Sequence, residues 1–177
     1  MTSSIRAALV ASATSAAFTI VCSIAGCASD PAKVTPPAAP EAAPGTIAYD
    51  RGIWLSLIDD HTKINRTMTE LPDGVEAVTE SDDPDVAARI RNHAFAMQRR
   101  LAEGGRVRQW DPVFVKLFEY REKFHLDVQA TEKGVRIRET SDDPEVVRIL
   151  HSHAAGVSAM VKEGSAVSGD ETPFRDK

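Results

Sequence analysis

The sequence predicts an α+β fold in which one four-stranded antiparallel sheet carries helices on one face. Three observations support this prediction: a pattern of two alternating segments around a short turn occurs twice, a longer amphipathic helix follows each pair, and the phrase that opens this helix is repeated. Because an isolated two-stranded hairpin is marginal in water, we expect the two hairpins to join into one sheet. The order of the strands is left open by the sequence.

The repeat has no gaps, and each matching residue of the second copy lies 60 positions after its counterpart in the first. The repeated phrase begins with Ser-Asp-Asp-Pro in both copies and contains His93 in the first and His153 in the second. A match this dense predicts a tandem duplication. We expect repeat unit 1 at residues 50–105 and repeat unit 2 at residues 106–164. Each unit should contain a helix, a hairpin and a second helix, with a pseudo-two-fold axis between the halves.

The first helix of each unit has its own signal. In unit 1 it spans about Arg51 to Lys63, where apolar residues recur every three or four positions and His61 extends the stripe. In unit 2 its counterpart begins at Asp111, a good capping residue, with Pro112 at the first helical position. The hairpins that follow surround the turns Pro-Asp-Gly and Glu-Lys-Gly, which are typical of tight hairpin connections.

The Ser-Asp-Asp-Pro phrase predicts the start of the second helix in each unit. The carboxylate of Asp83 or Asp143 can accept hydrogen bonds from backbone amides that have no partner inside the helix, which stabilises the helix by about 1 kcal/mol. We interpret the phrase as a helix start and not as a calcium or phosphate site. Gly104 and Gly164 are expected to end these helices.

The N-terminal segment is typical of a secretory signal, because the single basic residue Arg6 is followed by an apolar run that ends in small residues. This run is too short and too rich in alanine and serine for a membrane span of about 20 residues. Its last four residues, Ile24-Ala25-Gly26-Cys27, resemble the lipobox of bacterial lipoproteins. The resemblance implies a signal peptide at residues 1–26, a thioether-linked diacylglyceryl group on Cys27 and acylation of the new N-terminus.

This resemblance also predicts location. Lipid on Cys27 would hold the exported chain at a membrane of the cell envelope, and Ala28 with Ser29 would imply the periplasmic side of the outer membrane in a Gram-negative cell. The alternative is ordinary secretory cleavage that leaves a free Cys27. Cys22 would leave with the signal, so with a lipidated Cys27 the mature chain would have no thiol for a disulfide or a metal.

Two further segments flank the repeat. Residues 27–49 are rich in proline and alanine and predict a semi-rigid tether between lipid and domain. Residues 165–177 are expected to form a flexible tail. The net charge of −5 argues against nucleic acid as a partner, because phosphate binding needs a concentrated basic surface.

The sequence does not favour an enzyme. It contains no G-x-S-x-G nucleophile elbow and no glycine-rich phosphate loop. Asp59, Asp60 and His61 could form an acid–base group, but adjacent helical residues point apart, so a solvated helix edge is the better interpretation.

The histidines are the remaining candidates. His93 lies in the middle of an apolar stripe that runs on to Met97, and His153 occupies the same place in unit 2, so both should point into the protein. His151 and His125 are expected to be exposed.

Two hypotheses follow from this placement. The first is an envelope binding protein that holds a transition metal or non-covalent haem through His93 and His153, with His61, Met97 or a carboxylate as further candidate ligands. Covalent c-type haem is excluded because there is no CxxCH. The second is a structural or protein-partner-binding lipoprotein in which the histidines are core residues.

The repeated unit, about Asp50 to Gly164, is similar to uncharacterised exported bacterial proteins that combine a helix, a hairpin and a Ser-Asp-Asp-Pro helix ending in His-Ala. This resemblance implies an architecture and no activity. Arg121 stands opposite His61 in the repeat, so the two halves need not be functionally equal.

Overall fold

The computed structural model of this protein describes residues 42–175. They form four α helices and one four-stranded antiparallel sheet, which confirms the predicted α+β class. In chain order the elements are α1 (Ile47–Asp59), β1 (Asn65–Leu71), β2 (Gly74–Glu80), α2 (Pro84–Ala102), α3 (Pro112–Glu119), β3 (His125–Ala130), β4 (Gly134–Thr140) and α4 (Pro144–Glu163). The predicted signal peptide, Cys27 and most of the tether lie outside the described residues. None of the helices in the described part has the length and apolarity that a membrane crossing requires.

The strand order is β1-β2-β4-β3, so the second strands of the two hairpins meet in the middle of the sheet. Ala77 and Ile137 are opposite each other at the centre of the β2–β4 pairing. The backbones approach so closely at both ends that only glycine fits. A Cβ on Gly74 would lie 1.9 Å from the backbone oxygen of Glu139, and the equivalent atom on Gly134 would lie 2.0 Å from a backbone oxygen of β2.

One face of the sheet is covered and the other is open. Val75 and Val135 are buried beneath the helices, whereas Arg136 and Arg138, which point to the opposite side, are exposed. Helix α2 packs on β4 and β3, and α4 packs on β2 and β1. Each long helix therefore covers the hairpin that it does not follow in sequence.

Two apolar clusters form beneath these helices, and each combines one strand residue of one hairpin with helix residues that belong to the other half of the chain. The first contains Val75, Leu117, Val146, Ile149, Leu150 and Ala154, and the second contains Leu57, Val86, Ile90, Ala94 and Val135. Full burial of a valine or leucine side chain contributes roughly 1.5–3 kcal/mol, so these clusters are the main source of stability.

The predicted helix starts are confirmed. Asp83 Oδ1 accepts a hydrogen bond from the backbone of Asp85 at 3.0 Å, and Asp143 Oδ1 accepts one from Glu145 at 2.9 Å. Asp111 caps α3 in the same way. The proline that follows each cap has no amide hydrogen, so no donor is left without a partner there.

The first helix differs from the prediction. It begins at Ile47, inside the predicted tether, because Thr46 caps it by accepting a hydrogen bond from the backbone of Tyr49 at 3.2 Å. It ends at Asp59, and a 3₁₀ turn that contains His61 leads into β1.

The segment that we expected to be a flexible tail makes specific contacts as far as Arg175. Thr172 is buried, and its backbone amide and hydroxyl donate to the Asp111 carboxylate at 3.1 and 2.7 Å. The Arg175 amide donates to Ser152 Oγ at 2.9 Å. Asp111 is completely buried, and a buried carboxylate needs several donors. Thr172 supplies two of them, and the Val113 amide and the Arg108 guanidinium supply the others.

Candidate functional site

His93 and His153 lie in the middle of α2 and α4, on the sides that face the sheet. Both rings are half-buried, and in both the Nδ1 atom is buried without a hydrogen-bond partner among residues 42–175. Buried polar atoms that lack a partner are uncommon in folded proteins. The two repeat-equivalent histidines share this feature, and this makes the pair the candidate site.

The surroundings of His93 change its protonation. Burial lowers the pKa of His93 to about 4, with a smaller lowering from the charge of His153 and an opposing effect from Asp50. His93 is therefore neutral at pH 7, which is the form of imidazole that can bind a metal.

Each histidine has a buried carboxylate nearby. Asp50 of α1 is 4% exposed and forms an ion pair with Arg100 of α2, which is also buried. Glu139 of β4 is 5% exposed, and its Oε2 lies 3.8 Å from Nδ1 of His153.

An arginine, Arg66, interacts electrostatically with the Glu139 carboxylate. Arg66 of β1 donates to Thr79 Oγ1 at 2.6 Å and to Ser158 Oγ at 3.2 Å. Burial of this guanidinium lowers the pKa of Arg66 to about 10, and Glu139 opposes that change. We call the six residues Asp50, Arg66, His93, Arg100, Glu139 and His153 the buried polar cluster. Its two carboxylates and two guanidiniums carry equal and opposite formal charges, so a cation added to the cluster would be an uncompensated charge.

His61 is not part of this cluster. Its Nδ1 lies 3.0 Å from the backbone oxygen of Val161, and its ring covers Gly164 so closely that a Cβ there would lie 2.5 Å from the ring. Arg121, its counterpart in the repeat, lies more loosely near Gly104, where a Cβ would be 3.7 Å from the guanidinium, and Gly104 is exposed. His61 thus packs tightly on the glycine after α4, whereas Arg121 makes only an ordinary contact with the glycine after α2.

The predicted ligand set is only partly brought together. Met97 is half-buried on α2, one turn after His93. Within the described range 42–175, no three His, Cys, Asp or Glu side chains are grouped so that they could hold a metal ion.

His151 was expected to be exposed, and this was wrong. The ring is half-buried, with Nε2 2.6 Å from the backbone oxygen of Gly74 and 3.2 Å from that of Leu71. The reason is that α4 lies over the first hairpin, an arrangement that depends on the strand order. His125 is exposed, as predicted.

The open face of the sheet is a second candidate, because it carries exposed side chains from three of its four strands. They include Thr67 and Thr69 of β1, Arg136 and Arg138 of β4, and Gln129 of β3. Arg136 forms a 3.5 Å ion pair with Glu76 of β2 across this face. The surface is polar and carries charges of both signs.

Two depressions lie in the surface away from His93 and His153. One, of about 360 Å³, includes Asp73, His125 and Asp142 in its lining, and the other, of about 250 Å³, includes Lys116, Arg148 and Phe174. Neither is lined by His93 or His153. No family model, no curated protein and no solved structure matches the chain.

Proposed function

We propose that this chain is a lipid-anchored protein of the bacterial envelope that binds a protein partner through the open face of its sheet. The observation that carries the proposal is the contrast between the two faces. One is covered by helices, whereas the other presents charged and hydroxyl side chains such as Thr67 and Arg138 to solvent. A rigid sheet holds these groups in a fixed pattern, so little side-chain and backbone freedom would be lost on binding. In this account His93 and His153 are core residues.

The anchor in this proposal is lipid on Cys27. It is supported by the Ile24-Ala25-Gly26-Cys27 sequence behind an apolar run. The original chain should incorporate labelled fatty acid in growing cells, and Cys27→Ser, which has no thiol at this position to form the thioether, should incorporate none. An original chain without label, or equal label on the Cys27→Ser chain, would contradict the lipid anchor.

We further propose that the fold arose by tandem duplication. Ala77 and Ile137, which pair at the centre of the sheet, are 60 positions apart, the offset of the repeat. Equivalent hydrogen bonds support the proposal: Ser81 Oγ donates to Lys63 O at 2.8 Å, and Ser141 Oγ donates to Lys123 O at 2.6 Å.

Charge reversal on the open face tests the partner hypothesis. Arg136→Glu together with Arg138→Glu should reduce co-isolation of the partner after cross-linking in intact cells, because both arginines are exposed there. The matched control is Arg51→Glu, an exposed arginine on α1. Equal loss with both variants, or no loss with either, would contradict binding through the open face.

A metal ion between His93 and His153 is the second candidate, favoured by their buried and unpartnered Nδ1 atoms. Glu139 would be the nearest carboxylate. A haem would need the helices to move away from the sheet, because the neighbouring Ala94 and Ala154 are buried in the core clusters. Elemental mass spectrometry and a Soret-band measurement on the mature protein test both ligands. A bound metal that is lost in His93→Ala and in His153→Ala would support this candidate, and one that is retained in both would overturn it.

A further inference from the structure

The two halves of the fold meet in the β2–β4 pairing, which we call the seam. This seam is suited to an exchange of halves between two chains. The halves are joined in the sheet only by β2 and β4, whose seven residue pairs run from Gly74 opposite Thr140 to Glu80 opposite Gly134. The register is centred on Ala77 and Ile137, so it is the same when read from either strand. A half supplied by a second chain would meet the same pattern of backbone donors and acceptors.

Neither half closes its own core. Helix α2 packs on β4 and β3, and α4 packs on β2 and β1. The backbone shows the same crossing at the helix starts, where the Ser81 amide donates to Lys133 O at 2.9 Å and the Ser141 amide donates to Asp73 O at 2.8 Å. A half that is separated from its partner would therefore expose the apolar face of its long helix, and only another half covers that face.

The connection between the halves, residues 103–111, is short and contains one unfavourable backbone conformation. Arg108 has φ +45°, a value that side-chain-bearing residues rarely adopt. Its guanidinium donates to Ser168 O at 2.8 Å and to Asp111 Oδ2 at 3.1 Å, both on the side of the second half. These bonds remain with the second half whichever chain supplies the first, so the connection can open without losing them.

We infer that two copies of this chain exchange halves, with the first half of one chain pairing along the β2–β4 seam with the second half of the other. A short linker gives the halves an effective concentration of about 1 mM for each other, so closed monomers dominate in dilute solution. Exchange becomes competitive as the chain concentration approaches that value. If the proposed lipid anchor holds, confinement to a membrane would raise the local concentration in the same direction.

Disulfide trapping distinguishes the exchanged dimer from a closed monomer and from any dimer that leaves the halves unexchanged. The two cysteines of the sequence are Cys22 and Cys27, so a soluble form that starts at residue 28 has none. Val78→Cys with Arg136→Cys places two cysteines opposite each other across the seam. In an exchanged dimer this disulfide joins two chains, and in every other arrangement it lies within one chain. The matched control is Thr67→Cys with Val78→Cys, a pair inside the first hairpin.

Both variants are unfolded and then refolded at two chain concentrations. One is about 10 μM, far below the linker's effective concentration, and the other is about 1 mM, close to it. The refolded samples are oxidised and run on a non-reducing gel. We expect the seam pair to give covalent dimer at the higher concentration and at least about tenfold less at the lower one. The hairpin control should stay monomeric at both. A seam pair that gives only monomeric disulfide at both concentrations overturns the inference. Should circular dichroism show that the cysteine variants do not fold, light scattering on the unsubstituted chain refolded at the higher concentration decides, and a purely monomeric result there also overturns it.

Discussion

The pH dependence of stability should depend strongly on His93. Burial lowers the pKa of His93 from 6.5 to about 4. The unfolded chain therefore takes up a proton on this residue near pH 6.5, whereas the folded chain does so only near pH 4. The folded state is favoured by this difference above pH 6.5, and the contribution is lost as the pH falls towards 4. Since one pKa unit corresponds to 1.36 kcal/mol, the free energy of unfolding should fall by roughly 2–3 kcal/mol over this range from His93 alone.

Urea unfolding of the mature domain at pH 7 and at pH 4.5 measures this loss. His93→Gln removes the titrating group with little change in volume. Between pH 7 and pH 4.5 the free energy of unfolding should therefore fall less in His93→Gln than in the original chain, and the two falls should differ by roughly 2–3 kcal/mol. His125→Gln is the matched control, because His125 is exposed on the open face. The same loss in the original chain and in His93→Gln would refute the burial of a neutral His93.

Three further predictions concern stability, each measured by urea unfolding at pH 7. Gly74→Ala and Gly134→Ala should each destabilise the fold by more than about 3 kcal/mol, because the new Cβ would lie 1.9 and 2.0 Å from backbone atoms. The control Gly52→Ala in α1 has open space around it and should stabilise the fold by about 0.5–1 kcal/mol. Equal effects at all three sites would contradict the close approach of β2 and β4. Arg100→Met should lower the free energy of unfolding by about 3–5 kcal/mol, because it leaves Asp50 buried without its ion pair. Adding Asp50→Leu should recover part of that loss. Additive losses in the double variant would argue against the ion pair. Thr172→Ala should lower the free energy of unfolding by about 1–3 kcal/mol, because it removes a hydrogen-bond donor from the buried Asp111. Thr62→Ala, at an exposed position, is the control and should be nearly neutral. A Thr172→Ala protein as stable as the control would mean that the Thr172 hydroxyl does not stabilise Asp111.

The elements of the fold could be predicted because their signals are local. Asp83 and Asp143 stand directly before a proline and an apolar stripe, and both cap a helix as expected. The hairpin turns were equally clear, because Gly74 directly follows the turn residues Pro72-Asp73 and Gly134 directly follows Glu132-Lys133. The strand order could not be predicted, because each hairpin has two edges and the alternating pattern is the same for either edge.

The errors in the predicted site follow from that missing order. His151 contacts the carbonyl of Gly74 only because α4 crosses to the other hairpin, and no feature near position 151 indicates this. The same is true of Asp50 and Glu139, which approach the histidines from α1 and β4 and were not singled out in the sequence. A glutamate facing inward on an alternating strand, as Glu139 does beside Ile137, is the one signal that could have drawn attention to the cluster.

The most direct test of the proposed function is photo-cross-linking from the open face in living cells. A photoreactive residue is placed at Thr69, which is exposed on β1, and in a matched strain at Ala88, which is exposed on α2 on the covered side of the sheet. The proposed function predicts one discrete cross-linked protein from Thr69 and none from Ala88. The opposite pattern, or no product from Thr69 when the protein is present at its normal level, would contradict a partner surface on the open face.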